Sequence, residues 1–170
     1  MENQTNAQVQ ATPAANKGGN KKLFIIIGAV VAALLIVIFA ITTLFPSPKS
    51  VANKYFSGYK SLNANKVLST MHPKMKSEVK QDIKDEFKEA KEEKYKVKKV
   101  KLDSDYEEAD DDELEFIAKY LEKQYDIKES SVKAARRYEA DVTVSVDGDE
   151  DDIQMGVTLV KIGMKWYVMG

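Results

Sequence analysis

Residues Leu23 to Phe45, LFIIIGAVVAALLIVIFAITTLF, form an unbroken apolar stretch without a single charged side chain. At about 1.5 Å of rise per residue, 23 residues make a helix of about 34 Å, against a bilayer hydrocarbon core of about 30 Å. Sixteen of them are Leu, Ile, Val or Phe. Each is worth roughly −0.3 to −0.6 kcal/mol at mid-helix, so insertion is favoured by several kcal/mol. The stretch therefore predicts a transmembrane helix over 23–45. It divides the chain into a polar tail, 1–22, and a C-terminal domain, 46–170, and makes the lipid bilayer the first expected partner.

The tail is Asn, Gln, Ala and Thr with Pro13 and Gly18-Gly19, too poor in large apolar residues to repay the entropy of ordering. Lys21 and Lys22 abut the span and flank the membrane. A signal-peptide core runs only about 7–15 residues, so the longer stretch reads as an uncleaved signal anchor. Lys49, Lys54 and Lys60 lie beyond the other end, leaving orientation to the two lysines that touch the span. They predict a cytoplasmic N-terminus and an extracytoplasmic C-terminal domain in a single-pass cell-membrane protein. Gly28, Ala29, Ala32 and Ala33 supply small-xxx-small pairs through which two spans can approach.

Charge narrows the partners. Charged residues make up 31% of the chain yet its formal net charge is −1, so the surface is of mixed sign and gives no support to a nucleic-acid partner. The absence of cysteine removes disulfides, thiolate metal sites and a cysteine nucleophile together.

Past the membrane, Ser47-Pro48 makes a helix start, and Val51, Tyr55, Phe56, Tyr59 and Leu62 recur at helical spacing. Asn63 and Asn65 interrupt before a short face of Val67, Leu68 and Met71 that ends at His72-Pro73. Lys74 to about Lys94 carries Met75, Val79, Ile83, Phe87 and Ala90 on one side. Tyr95, Val97, Val100 and Leu102 alternate only in part and predict a strand. Asp103 to Glu115 holds nine acids and no base, and its Asp110 to Glu113 end predicts the acidic start of a helix bearing Leu114, Ile117, Leu121 and Tyr125. From Ser131 the period is two: Tyr138, Ala140, Val142, Val144 and Val146 alternate with polar residues, as do Ile153, Met155, Val157 and Leu159. Asp147-Gly148-Asp149 and Gly163-Met164 are turns, and Trp166 to Met169 closes a three-strand meander. The expected class is α+β, with helices packed on one face of a curved antiparallel sheet.

No catalytic set emerges. His72 is the sole histidine and fits a helix end better than a general base. Asp103, Asp105 and Glu107 begin like a calcium loop, but Glu108 stands where glycine is required and Leu114 where the closing glutamate belongs. Asp147 to Asp152 also lacks that glutamate. There is no Gly-rich phosphate loop and no GxSxG elbow, and no metal or cofactor is expected. Tyr55, Tyr59, Tyr138 and Trp166 are the candidates to line a pocket, with ordinary core packing as their alternative.

The helix bearing Val51, Tyr55, Phe56 and Tyr59, the run Lys66-Val-Leu-Ser-Thr-Met-His-Pro73 and the closing pair Lys161-Ile-Gly-Met-Lys-Trp-Tyr-Val168 resemble extracytoplasmic domains of Gram-positive bacterial single-pass membrane proteins, a largely uncharacterised family of cystatin-like, nuclear-transport-factor-2-like fold. Some similar proteins carry a cytosolic zinc ribbon ahead of the span, which a cysteine-free chain cannot build. The resemblance implies a cone with a pocket, and Trp166 packed between sheet and first helix near Tyr55 or Tyr59.

Three expectations of function follow. The first is a membrane-anchored, non-catalytic binding or interaction module facing the cell envelope, with an envelope protein, a polymer or a small ligand as partner. The second is an enzyme using the cone pocket, although Glu139 and Asp141 fall on the wet face by alternation. The third is an assembly component, a homodimer formed through the span or a sheet face.

Overall fold

A computed structural model describes residues Phe45–Met169, which form one compact unit. Lys21, Lys22 and the span up to Leu44 lie outside the described residues. Among the described residues no helix is long and apolar enough to cross a membrane.

The chain enters through helix α1, Pro48–Lys60, capped by the Ser47 hydroxyl, which accepts from the Ser50 amide at 3.2 Å. A second short helix, α2, Ala64–Leu68, is capped by Asn63. Between them lies a close approach that excludes a side chain: a Cβ on Gly58 would sit 2.6 Å from Val67 Cγ2 and 2.9 Å from the Val67 amide nitrogen. Helix α3, Pro73–Glu92, starts at His72, whose Nδ1 accepts from the Lys74 amide at 3.3 Å while its ring meets Tyr167 edge-on.

Strand β1, Lys96–Leu102, carries a register shift between Val97 and Lys99. That shift explains the broken alternation, because it brings Val97, Val100 and Leu102 to one face despite their uneven spacing. The two-residue strand β2, Glu107–Glu108, has no apolar signature and was not expected from sequence. Helix α4, Asp111–Tyr125, opens on a complete capping box between Asp110 and Glu113. Aspartates before an apolar stripe dictate that start, because they satisfy amides that the first turn leaves unpaired.

A 3-10 turn, Glu129–Ser131, leads into β3, Val132–Val146, followed by β4, Asp149–Ile162, and β5, Lys165–Val168. Asp147 and Gly148, both at positive φ, close the first hairpin, and Gly163 at φ 60° opens the second. These are the primed turns whose twist matches that of the flanking strands. The strands form one antiparallel sheet in the order β1-β3-β4-β5, with β2 on the same side of β3 as β1. Strands of 15 and 14 residues exceed the usual length, and the sheet curls into a half-barrel.

Helices pack on both faces of the sheet, contrary to the expectation of one helical layer, although the second layer covers only the half around Val132, Ala135 and Val160. Tyr138, Ala140, Val142 and Val144 of β3, with Val157 and Leu159 of β4, pack under Val51, Phe56, Ile83 and Phe87 of α1 and α3. Ala135 and Val160, one residue out of step with them, join Ala118 and Leu121 of α4, Ile127, and Met75 from the start of α3 in a second cluster. The α4 stripe had been legible, but nothing in its own residues states which face it covers.

Candidate functional site

The first face holds a cleft of about 340 Å³. Its floor is Val97 and Val100 of β1, Val142 of β3, and Ile153 and Met155 of β4. These five come from three neighbouring strands, brought together by a register that sets Val100 opposite Val142 and Val142 opposite Ile153. Phe56, Tyr59 and Leu62 form the wall on the α1 side. The last turns of α3 form the other wall with Phe87 and Ala90 and add Glu86 and Glu89 at the lip, where Glu93, the residue that ends the helix, joins them.

Aromatic contacts set the shape of that wall. The Tyr59 ring meets Phe87 edge-on at 5.0 Å between centroids and leans on Tyr55 at 4.9 Å. Burial pushes the Tyr59 hydroxyl well above the ordinary tyrosine range, and neighbouring Tyr55 and Glu86 act in the same direction. Burial likewise raises Tyr55. Both phenols are thus neutral hydrogen-bond donors at physiological pH rather than bases. The cleft combines an apolar interior, a neutral donor and a carboxylate lip.

The four aromatics singled out from sequence fall into two groups. Tyr59 lines the cleft and Tyr55 supports it from behind. Tyr138 and Trp166 sit elsewhere on the same face, around Arg136. The Arg136 guanidinium lies 4.3 Å from the centroid of Tyr106 and 5.2 Å from that of Trp166, and donates from Nε and Nη2 to Glu108 Oε1 at 3.3 and 3.2 Å. Tyr106 in turn leans on Tyr138 at 5.5 Å. Trp166 is half-buried, and the group its ring faces is Arg136 rather than Tyr55 or Tyr59. A cation between two π faces, paired with a carboxylate, pins the β2 segment to the sheet. Tyr95, just ahead of β1, also lines the cleft, and sequence reasoning singled out neither it nor Phe87 nor Arg136 as a site residue. Arg136 stands two residues before Tyr138 on the apolar phase of β3, and that misplaced charge was the available signal.

A second cleft of about 490 Å³ lies between α4 and the opposite face. Arg137, Glu107, Glu108, Asp112 and Glu113 surround Ala109, Ile117 and Ala135, with Phe116 at the rim, 73% exposed. The acidic runs are dispersed by the fold. Asp110 and Glu113 are occupied in the helix cap, and because the hairpin turn is only two residues long, Asp149 to Asp152 enter β4 and alternate between its faces. Among the described residues no three His, Asp or Glu side chains converge as a metal site. His72 is taken up as the α3 cap, and burial, then Lys74, lower its pKa.

No protein-family model, curated protein or solved structure matches the chain, so a functional reading rests on the residues just described.

Proposed function

We propose that the chain is a single-pass membrane protein of the Gram-positive envelope type. Its C-terminal domain, a cystatin-like, nuclear-transport-factor-2-like cone outside the membrane, is a non-catalytic module that binds a small apolar ligand bearing a cationic group. The cleft under α1 and α3 carries this reading. Its volume of about 340 Å³ is at the small end of ligand pockets, which are mostly apolar with a few placed polar groups. Glu86, Glu89 and Glu93 at the lip suit a cation, while the floor suits a hydrocarbon. The enzyme reading would need a base inside the cleft. The tyrosines that line it, Tyr59 and Tyr95, have hydroxyl pKa values raised by burial and hold their protons, whereas the glutamates are exposed.

The probe is hexyltrimethylammonium, titrated calorimetrically into the full chain in lipid nanodiscs, with hexyl sulfate as its charge-reversed control. Saturable binding of the cation near one per chain, abolished by Ala90→Trp, which fills the cleft, supports the reading. Equal or tighter binding of the sulfate removes the role of the lip, and no binding of either removes the cleft. Topology is tested separately. Protease added to intact spheroplasts should digest residues 46–170 and spare an N-terminal tag, and protection of the domain reverses the localisation.

A further inference from the structure

The sheet has two open edges at the same height. On one side β1 is outermost, and no backbone hydrogen bond other than those to β3 reaches it among the described residues. On the other side β4 pairs with β5 only over Leu159–Ile162, so from Asp149 to Val157 its one strand neighbour is β3. The outer edge of β5 is already taken, because the Val168 amide donates to the Thr70 carbonyl at 2.9 Å and Met71 bridges to Val168. An open edge is a template for another strand.

The two edges match row by row. Directly across the sheet, Lys96, Ser145 and Glu150 share a row, as do Lys99, Thr143 and Asp152, then Val100, Val142 and Ile153, and finally Leu102, Ala140 and Met155. Both β1 and β4 run antiparallel to β3, and are therefore parallel to one another. A second copy set edge to edge, turned to follow the curl of the sheet, would bring its β1 alongside the open half of β4. On one face Lys96 and Lys99 of the second copy then meet Glu150 and Asp152. On the other face Val100 and Leu102 meet Ile153 and Met155. Lys96, Lys99, Glu150, Asp152 and Ile153 are all exposed. Asp152 is held by the Thr143 hydroxyl at 2.6 Å and lacks a cation among the described residues.

Like edges repel. Two β1 edges would oppose lysine with lysine, and two β4 edges would oppose acid with acid, so the charges disfavour symmetric pairing and leave β1 against β4 as the attractive combination. We propose that this chain self-associates head to tail, with β1 of one copy adding as a parallel strand to the Asp149–Val157 edge of the next. Because the sheet curls, each added copy is rotated relative to the last, and a heterologous contact of this kind closes into a ring if that rotation closes and otherwise extends as an open row. The apolar side of this contact shares Val100, Ile153 and Met155 with the cleft floor, whereas Lys99 and Asp152 lie on the opposite face of the sheet, so charge reversal at those two positions tests the edge without altering the cleft lining.

The chain is free of cysteine, which makes cross-linking clean. Full-length Lys99→Cys and Asp152→Cys proteins, carrying tags of different size, are mixed in detergent micelles and oxidised. The mixed disulfide should predominate over each homodimer, because only positions 99 and 152 of adjoining copies face one another across the proposed contact. Homodimers in equal or greater yield, or cross-linking no stronger than with a Lys80→Cys control on α3, overturn the proposal. Lys99→Asp and Asp152→Lys should each weaken self-association about fivefold by analytical ultracentrifugation, and the two changes combined in one chain should restore it. Failure of the combined variant to recover, or association unchanged by either single reversal, counts equally against it, as does binding of a lysine-rich peptide to a chain that stays monomeric.

Discussion

The two halves of β3 make opposite use of one strand. From Tyr138 to Val144 it alternates strictly, apolar residues facing α1 and α3 while Glu139, Asp141 and Thr143 face outward. From Val132 to Arg137 both faces are engaged: Arg136 stacks under Tyr106 on one side, Ala135 packs beneath α4 on the other, and a register shift between Val132 and Ala134 resets the phase. The upper half shows how directly period two reports a sheet with one wet face. The lower half shows how that signal fades once both faces are covered.

The sharpest way to break this comparison is to empty each core in turn. Phe56, 2% exposed, serves the upper cluster and Leu121, 0% exposed, the lower. Phe56→Ala should cost about 3–5 kcal/mol and Leu121→Ala about 2–5 kcal/mol in denaturant unfolding. If the long strands couple the halves, each variant shifts one common transition. If Leu121→Ala instead releases α4 amides to hydrogen exchange while Val142 and Val144 stay protected, the halves are separate cooperative units.

Gly58→Ala tests the upper half from the helical side. In an exposed helix interior alanine is better than glycine by about 1 kcal/mol. Here the added methyl would meet Val67 backbone at 2.9 Å, so the sign should reverse to a loss of about 1–3 kcal/mol. A variant as stable as the parent would mean that α2 moves away freely.

Asp110→Ala addresses the lower half, where the capping box starts α4. A loss of about 1 kcal/mol is expected, with Asp110→Asn retaining most of it. If the two substitutions cost the same, the carboxylate charge rather than its acceptor oxygen is what matters.

The mildest probe is alkali. Tyr55 and Tyr59 have folded pKa values raised above the ordinary value of 10.0, so the folded state holds their protons longer than the unfolded chain does. That contribution is fully present below about pH 10 and is lost as pH rises from there toward the folded values. In Tyr59→Phe the alkaline decline in unfolding midpoint should be shallower. An unchanged decline would place the sensitivity outside the cleft wall.

Much of this domain is legible because its signals are local. Ser47-Pro48, His72-Pro73 and Asp110 with Glu113 mark helix starts, since a cap is a bond between residues three apart or fewer. Asp147-Gly148 and Gly163-Met164 mark hairpins because only certain residues adopt positive φ. The candidate site was legible only in part. Tyr59 was named for its place on an aromatic helix face, but Tyr138 and Trp166 share its chemistry and sit around Arg136 instead. Helical spacing and alternation state which side of an element is apolar, and say nothing of which apolar sides enclose a space.

The sequence by itself determined the helices, the hairpin turns, the phase of the upper sheet and the apolar stretch from Leu23 to Phe45, because each depends on neighbours along the chain. Tertiary structure alone decided that α4 covers the second face, that Glu107 and Glu108 form a strand, that Val97, Val100, Val142, Ile153 and Met155 share a floor, and that a lysine edge and an acidic edge stand at one height. Those features join residues up to dozens of positions apart. They are fixed by strand register and by which faces find enough apolar area to bury, quantities that no local window contains.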